Sequence, residues 1–144
     1  MVYEERNAWV GLVVMVIALP IYISVIIQQA AGGPLTEVTW WPAMAWMIGG
    51  AIVATIVLSI TWGLLAGLRD AEGIGVSDQR DRDISRMSSR VGQSFLVLAG
   101  LGVIVLCALD AHVFWIAHTM FFGFALSAFV GGIASVIAYR RGLA

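Results

Sequence analysis

The chain has 144 residues, of which 60% are hydrophobic and only 12% are charged. A soluble domain of this size carries about twice that fraction of charged residues. The formal net charge of −1 argues against a nucleic-acid-binding surface, and the single cysteine, Cys107, excludes an intramolecular disulfide.

Long apolar segments follow one another along the chain. A bilayer core of about 30 Å needs about 20 helical residues, and four segments with few or no charges fit that requirement. We therefore predict an all-α, polytopic membrane protein whose four transmembrane helices form a bundle within one domain over residues 1–144. The predicted spans are 8–29, 43–68, 92–111 and 115–139, and residues 69–91 form the central loop.

Small residues recur every four positions in the second and fourth predicted spans. Positions four apart lie on nearly one helix face, where small side chains let two backbones approach closely in lipid. The pattern predicts either packing within one bundle or an interface between copies in a homo-oligomer. The residues are Ala51, Thr55, Ser59, Gly63 and Gly67, the last two forming a GxxxG, and then Gly123, Ser127, Gly131 and Ser135.

The segment before the third span carries three aspartates and two arginines in the six positions 78–83. Ser77 is a candidate N-cap, and Ile84, Met87 and Val91 recur at helical spacing. We predict an amphipathic cytosolic helix over residues 78–90 that either continues into the third span or lies on the membrane surface. Its candidate contacts to a protein partner are Asp78, Arg80, Asp81, Arg82, Asp83 and Arg86.

Two other interpretations of this charged helix remain open. Asp78 and Asp81 are three residues apart and could share a divalent cation, although such sites want several oxygen ligands and the adjacent arginines oppose a cation. The helix could also be solvated, with charges that pair only with one another and serve no further role.

A second polar group is predicted at the opposite membrane interface. Counting about 1.5 Å per residue from Arg90 and Arg140 places Asp110 and His118 roughly 30 Å away, close to His112. Imidazole and carboxylate are credible ligands of zinc or copper, so Asp110, His112 and His118 form a candidate metal site. Alternatively, the histidines only hydrogen-bond the ends of the third and fourth helices.

The basic residues indicate an orientation. All eight are arginines, and they occur only in the N-terminal segment, the central loop and the C-terminal segment. The positive-inside rule therefore predicts that both termini and the central loop are cytosolic. An all-arginine basic set is typical of a GC-rich bacterial genome, so we expect a multi-pass protein of the bacterial inner membrane.

Several stretches of the sequence resemble one family. They are "YEERNAWVGLVV" at the start, "SDQRDRDI" in the centre, "DAHVFWIAH" in the predicted outer turn and "AYRRG" at the end. The central stretch is similar to the D-[EQ]-R-D-x-x-I signature of small, functionally uncharacterised bacterial membrane proteins with four spans. Some of these proteins are associated with helix-turn-helix regulators, which implies a sensory or regulatory membrane component.

Three functions are compatible with these patterns. The first is a non-enzymatic regulatory or scaffold component that acts through its charged cytosolic helix and small-residue faces. The second is a small oligomeric transporter or channel, although ion-coupled transporters usually place ionisable residues near the bilayer centre, where none is predicted here. The third is a metal- or haem-binding membrane protein. No nucleophile–base pair or phosphate loop is present, so we expect no enzyme and no cofactor.

Overall fold

The computed structural model describes residues 3–67 and 79–141, and gives only the backbone for residues 3, 4, 6, 66, 67, 80, 81 and 141. Its elements are α1 (Tyr3–Ala30), a short 3-10 helix (Leu35–Glu37), α2 (Trp40–Gly67), α3 (Gln79–Ala108) and α4 (Val113–Arg141). The described residues contain no strand, so the predicted all-α class with four long helices is confirmed.

Each of the four long helices is long and apolar enough to cross a bilayer. Their candidate membrane segments have 24 to 28 residues, or about 36–42 Å of helix. This is the composition of a multi-pass membrane protein. The segments are Asn7–Ala30, Trp40–Leu65, Arg82–Ala108 and Val113–Arg140.

The charged helix and the third span are one continuous element. The predicted third span begins at residue 92, whereas α3 begins at Gln79. Ile84 is completely buried, while Arg82, Asp83 and Arg86 are exposed. The described part of the charged segment is therefore amphipathic and continues directly into the span. Asp78 lies outside the described residues.

The turn between α3 and α4 is built on an unusual backbone conformation. Asp110 has a φ of +51°, and its N–H donates to the carbonyl of Cys107 at 3.2 Å while the N–H of Ala111 donates to Leu106 at 2.9 Å. These two bonds form a Schellman motif, in which the left-handed position is usually glycine and is tolerated by aspartate. The helix therefore ends at Ala108, three residues before the predicted end of the span.

The central pair of the fold is α1 and α4. The main helix contacts join α3 to α4, α4 to α1 and α1 to α2, and the 3-10 helix rests on α1 and α4. The outward surface of α2 is strongly apolar, with Trp46 82% exposed and Leu64 67% exposed. In a bilayer these side chains contact lipid acyl chains or another membrane segment.

The contact between α3 and α4 depends on small residues. A Cβ added to Gly123 would collide with the Cβ of Ala99, and one added to Gly92 would lie 2.8 Å from the carbonyl oxygen of Ser127. At Gly131 the added atom would lie 3.3 Å from the carbonyl oxygen of Ser88. The small residues predicted on the fourth span therefore lie where two backbones approach within one chain.

The stripe on the second span behaves differently. A Cβ added to Gly63 would meet no atom within 4 Å, and no side-chain environment is described at Gly67. The residues Ala51, Thr55, Ser59 and Gly63 are half-buried on α2, but Gly63 makes no close backbone contact with the part of the chain that the structure describes. An interface between copies at this stripe stays a prediction.

The two glycines make a matched test of this packing. We expect Gly123→Ala to lower the free energy of unfolding by about 1–3 kcal/mol, because overpacking must separate α3 from α4. We expect Gly63→Ala to leave it unchanged or raise it by up to about 1 kcal/mol through helix propensity. Unfolding in mixed micelles, followed by circular dichroism, measures both. Equal losses in the two variants would contradict this account of the packing.

Candidate functional site

A buried hydrogen bond joins the two central helices. The hydroxyl of Tyr22 on α1 lies 2.7 Å from Nε2 of His118 on α4, and the two residues are only 2% and 5% exposed. His118 Nδ1 lies 2.7 Å from the carbonyl oxygen of Phe114. Because a carbonyl can only accept, Nδ1 carries the hydrogen, and Nε2 of the neutral ring accepts from Tyr22.

Aromatic rings surround this hydrogen bond. Phe114 stacks on the His118 ring with a centroid distance of 3.9 Å, and Trp40 meets that ring edge-on at 5.7 Å. Phe121 packs against Tyr22 at 4.7 Å. Partly buried side chains of the 3-10 helix and α2 pack on the same cluster. The cluster therefore joins α1, α2 and α4, and the polar side-chain atoms of Tyr22 and His118 are hydrogen-bonded within it.

Each of the three residues predicted to form a metal site has a different structural role. Both ring nitrogens of His118 are hydrogen-bonded. His112 precedes α4, and its Nδ1 accepts from the N–H of Phe114 at 3.2 Å, as an N-cap side chain does. Asp110 forms the left-handed turn. Among the described residues, no group of three or more His, Cys, Asp or Glu side chains could hold a metal ion, so Asp110, His112 and His118 are not brought together as a site.

Tyr22 is the hydrogen-bond partner of His118, and the sequence analysis did not assign it. The sequence carries a signal for it, because residues 10–27 contain only two polar side chains, Tyr22 and Ser24. A tyrosine buried in a membrane helix needs a hydrogen-bond partner for its hydroxyl. What the sequence does not show is which of the later helices supplies that partner, 96 residues away.

Three of the six predicted partner-contact residues have side chains that the structure describes, and these three are exposed on α3. Arg82, Asp83 and Arg86 all face outward. Asp83 and Arg86 approach to only 3.9 Å, with side chains 52% and 74% exposed, so their mutual attraction is worth little in water. We call these three residues the charged face. The side chains of Arg80 and Asp81, on which the alternative cation site depends, are not described.

A further ionic contact lies at the same end of the molecule as the charged face. Arg140 near the end of α4 approaches Glu5 of α1 at 3.9 Å, and its guanidinium lies 5.5 Å from the centre of the Trp9 ring. The Glu5 side chain is only 12% exposed. This contact holds the N-terminal part of α1 against α4, and it leaves the charged face of α3 uncovered by either.

The Tyr22–His118 bond is testable by removing one oxygen atom. Tyr22→Phe leaves a buried imidazole nitrogen without its donor, so we expect a loss of about 1–2 kcal/mol in the free energy of unfolding. The control is Ser24→Ala, which removes an exposed hydroxyl that bonds Pro20 within the same helix and should change stability by less than about 0.5 kcal/mol. Thermal unfolding in detergent distinguishes them, and equal effects would argue against the bond.

Comparison with known proteins found no relative of this chain. The chain matches no protein-family model, no curated protein sequence and no solved structure. The contacts, exposed charges and membrane helices of the chain are therefore the features that indicate its function.

Proposed function

We propose that this protein is a non-enzymatic regulatory or scaffold component of the bacterial inner membrane that binds a protein partner through its charged face. The observation that carries the proposal is the continuity of α3. A single helix, Gln79–Ala108, contains both the charged face and an apolar membrane segment. A partner bound to the charged face therefore contacts a rigid extension of the membrane-spanning helix.

The burial pattern supports this role. Ile84 is completely buried and Ser88 is 7% exposed, so one side of the charged part of α3 is held in place. The opposite side carries exposed charges whose nearest described ion pair is long and solvated. Charges of this kind cost little to transfer to a partner with a complementary pattern, and they favour specificity and rapid association.

The surfaces of α2 supply a second element of the proposal. The small-residue stripe at Ala51, Thr55, Ser59 and Gly63 is not filled by a close backbone contact at Gly63. Small residues in membrane helices permit close association without a hydrophobic driving force. We therefore propose that α2 also offers a packing face to a second copy of the chain or to another membrane helix.

The proposed orientation places the charged face in the cytosol, as the arginine distribution favours. After Cys107→Ser, we expect Ser85→Cys to react with a membrane-impermeant maleimide only in opened cells, because it lies on the cytosolic part of α3. Gly33→Cys, in the exposed turn after α1, should react in intact cells. The reverse pattern of labelling would refute this orientation.

A charge swap separates partner binding from pairing within the helix. The Asp83→Arg/Arg86→Asp double variant keeps one ion pair at the same spacing but inverts the pattern that a partner meets. We expect it to lose partner association as completely as Arg86→Asp alone, because recognition depends on where each charge lies. Cross-linking in native membranes, followed by affinity purification and mass spectrometry, compares the variants with the wild type.

One result of the charge swap would contradict the proposal. If the double variant behaves like the wild type while Arg86→Asp loses stability, the two charges serve only to support the helix. The charged face would then have no partner, and the proposal would fail. Val97→Asn, on the exposed apolar surface of the same helix, controls for general effects of surface polarity on α3.

A further inference from the structure

A polar groove runs between α3 and α4. It is a shallow, open groove of about 330 Å³, lined by small and polar residues of both helices, among them Ser89, Gln93, Ser127 and Gly131. Ser89 and Gln93 are exposed. Gly92 and Gly131, which also line it, lie where the two backbones approach closely. We call it the serine groove.

The polar surface of α3 leads into this groove. Arg82, Arg86, Ser89 and Gln93 are separated by four, three and four residues, so they lie along one face of the helix. All four are exposed. From Val97 onward the exposed positions are apolar, with Val97 61%, Leu101 54% and Ile104 64% exposed. The exposed surface of α3 thus changes from polar to apolar just beyond the groove.

This change occurs deep in the molecule relative to the neighbouring helix α4. From Val97 to the end of α3 at Ala108 is roughly 17 Å of helix, whereas the exposed apolar residues of α4 extend from Val113 to Ile137, or roughly 36 Å. The carbonyl of Ser88 lies against Gly131, ten residues before the end of α4. The charged part of α3 therefore runs beside apolar residues of α4 for about two to three helical turns.

A bilayer of uniform hydrocarbon thickness cannot match both of these apolar surfaces, because one is much shorter than the other. Exposed arginine and carboxamide groups in contact with acyl chains are costly, so the bilayer thins locally or its headgroups move inward along α3. Guanidinium groups bind phosphate through strong, charge-assisted hydrogen bonds. The serine groove lies one turn beyond Arg86, where such an inward-drawn headgroup would arrive.

We propose that the serine groove binds the phosphate of a phospholipid headgroup from the leaflet on the side of the α3 N-terminus. Arg86 supplies the positive charge, and the hydroxyl of Ser89 and the amide N–H groups of Gln93 donate hydrogen bonds. Asp83 competes for Arg86 only weakly, because their contact is 3.9 Å long and exposed. The acyl chains of the bound lipid lie along the apolar surface of α3 that begins at Val97.

Native mass spectrometry of the purified full-length protein, titrated with phosphatidylglycerol, tests the proposal. We expect one lipid per chain that survives the collisional activation at which other lipids dissociate. Ser89→Leu fills the groove and should abolish this adduct. The matched control, Ser94→Leu, changes an exposed serine of the same helix outside the groove and should keep it. Arg86→Gln should weaken binding by about fivefold.

Three results would overturn the proposal. Equal lipid retention in Ser89→Leu and Ser94→Leu would show that the groove is not the site. Displacement of the adduct by millimolar inorganic phosphate would show that the groove takes free phosphate instead of a lipid. A dimer that only Ser89→Leu disrupts would show that a second copy fills the groove. If Ser89→Leu does not fold, judged by circular dichroism, the binding loss in Arg86→Gln decides the question.

Discussion

The close approach of the α3 and α4 backbones is the constraint on which the rest of this structure depends. In lipid the hydrophobic effect does not drive helices together, so association comes from van der Waals packing and interhelical hydrogen bonds. Ala99 against Gly123 and Gly92 against Ser127 allow that packing because no larger side chain separates the helices. The same contact continues to Ser88 and Gly131, and so holds the charged half of α3 along α4.

A different chemistry joins α4 to its other neighbour. Tyr22 and His118 form a hydrogen bond within an aromatic cluster towards one end, and Glu5 contacts Arg140 at the other. A polar pair enclosed by rings has few alternative partners, so it specifies how α1 and α4 face one another. α4 therefore packs on α3 through small residues and on α1 through an aromatic cluster, so the two contacts differ in character.

The length of α3 is the feature on which the proposed function depends. If the charged helix were joined by a flexible linker, binding to it would not move the membrane helices. Here one helix carries both the charges and the apolar surface. Its exposed side changes from polar to apolar well inside the length of α4, which sets a local mismatch with the bilayer. The charged face proposed to bind a protein and the serine groove proposed to bind a lipid are consequently adjacent on the same helix, with Arg86 between them.

Hydropathy, charge spacing and helical periodicity are local properties, so the sequence predicted the four long helices, their approximate limits and the amphipathic character of the charged segment. Stripes of small residues also predicted close helix packing, but they did not show which stripe is used. The tertiary contacts alone show that Gly123 lies against Ala99 while Gly63 has no described atom within 4 Å of an added Cβ, and that His118 is hydrogen-bonded to Tyr22. Each of these depends on which helices become neighbours, and residues far apart in the chain carry no local signal of that choice.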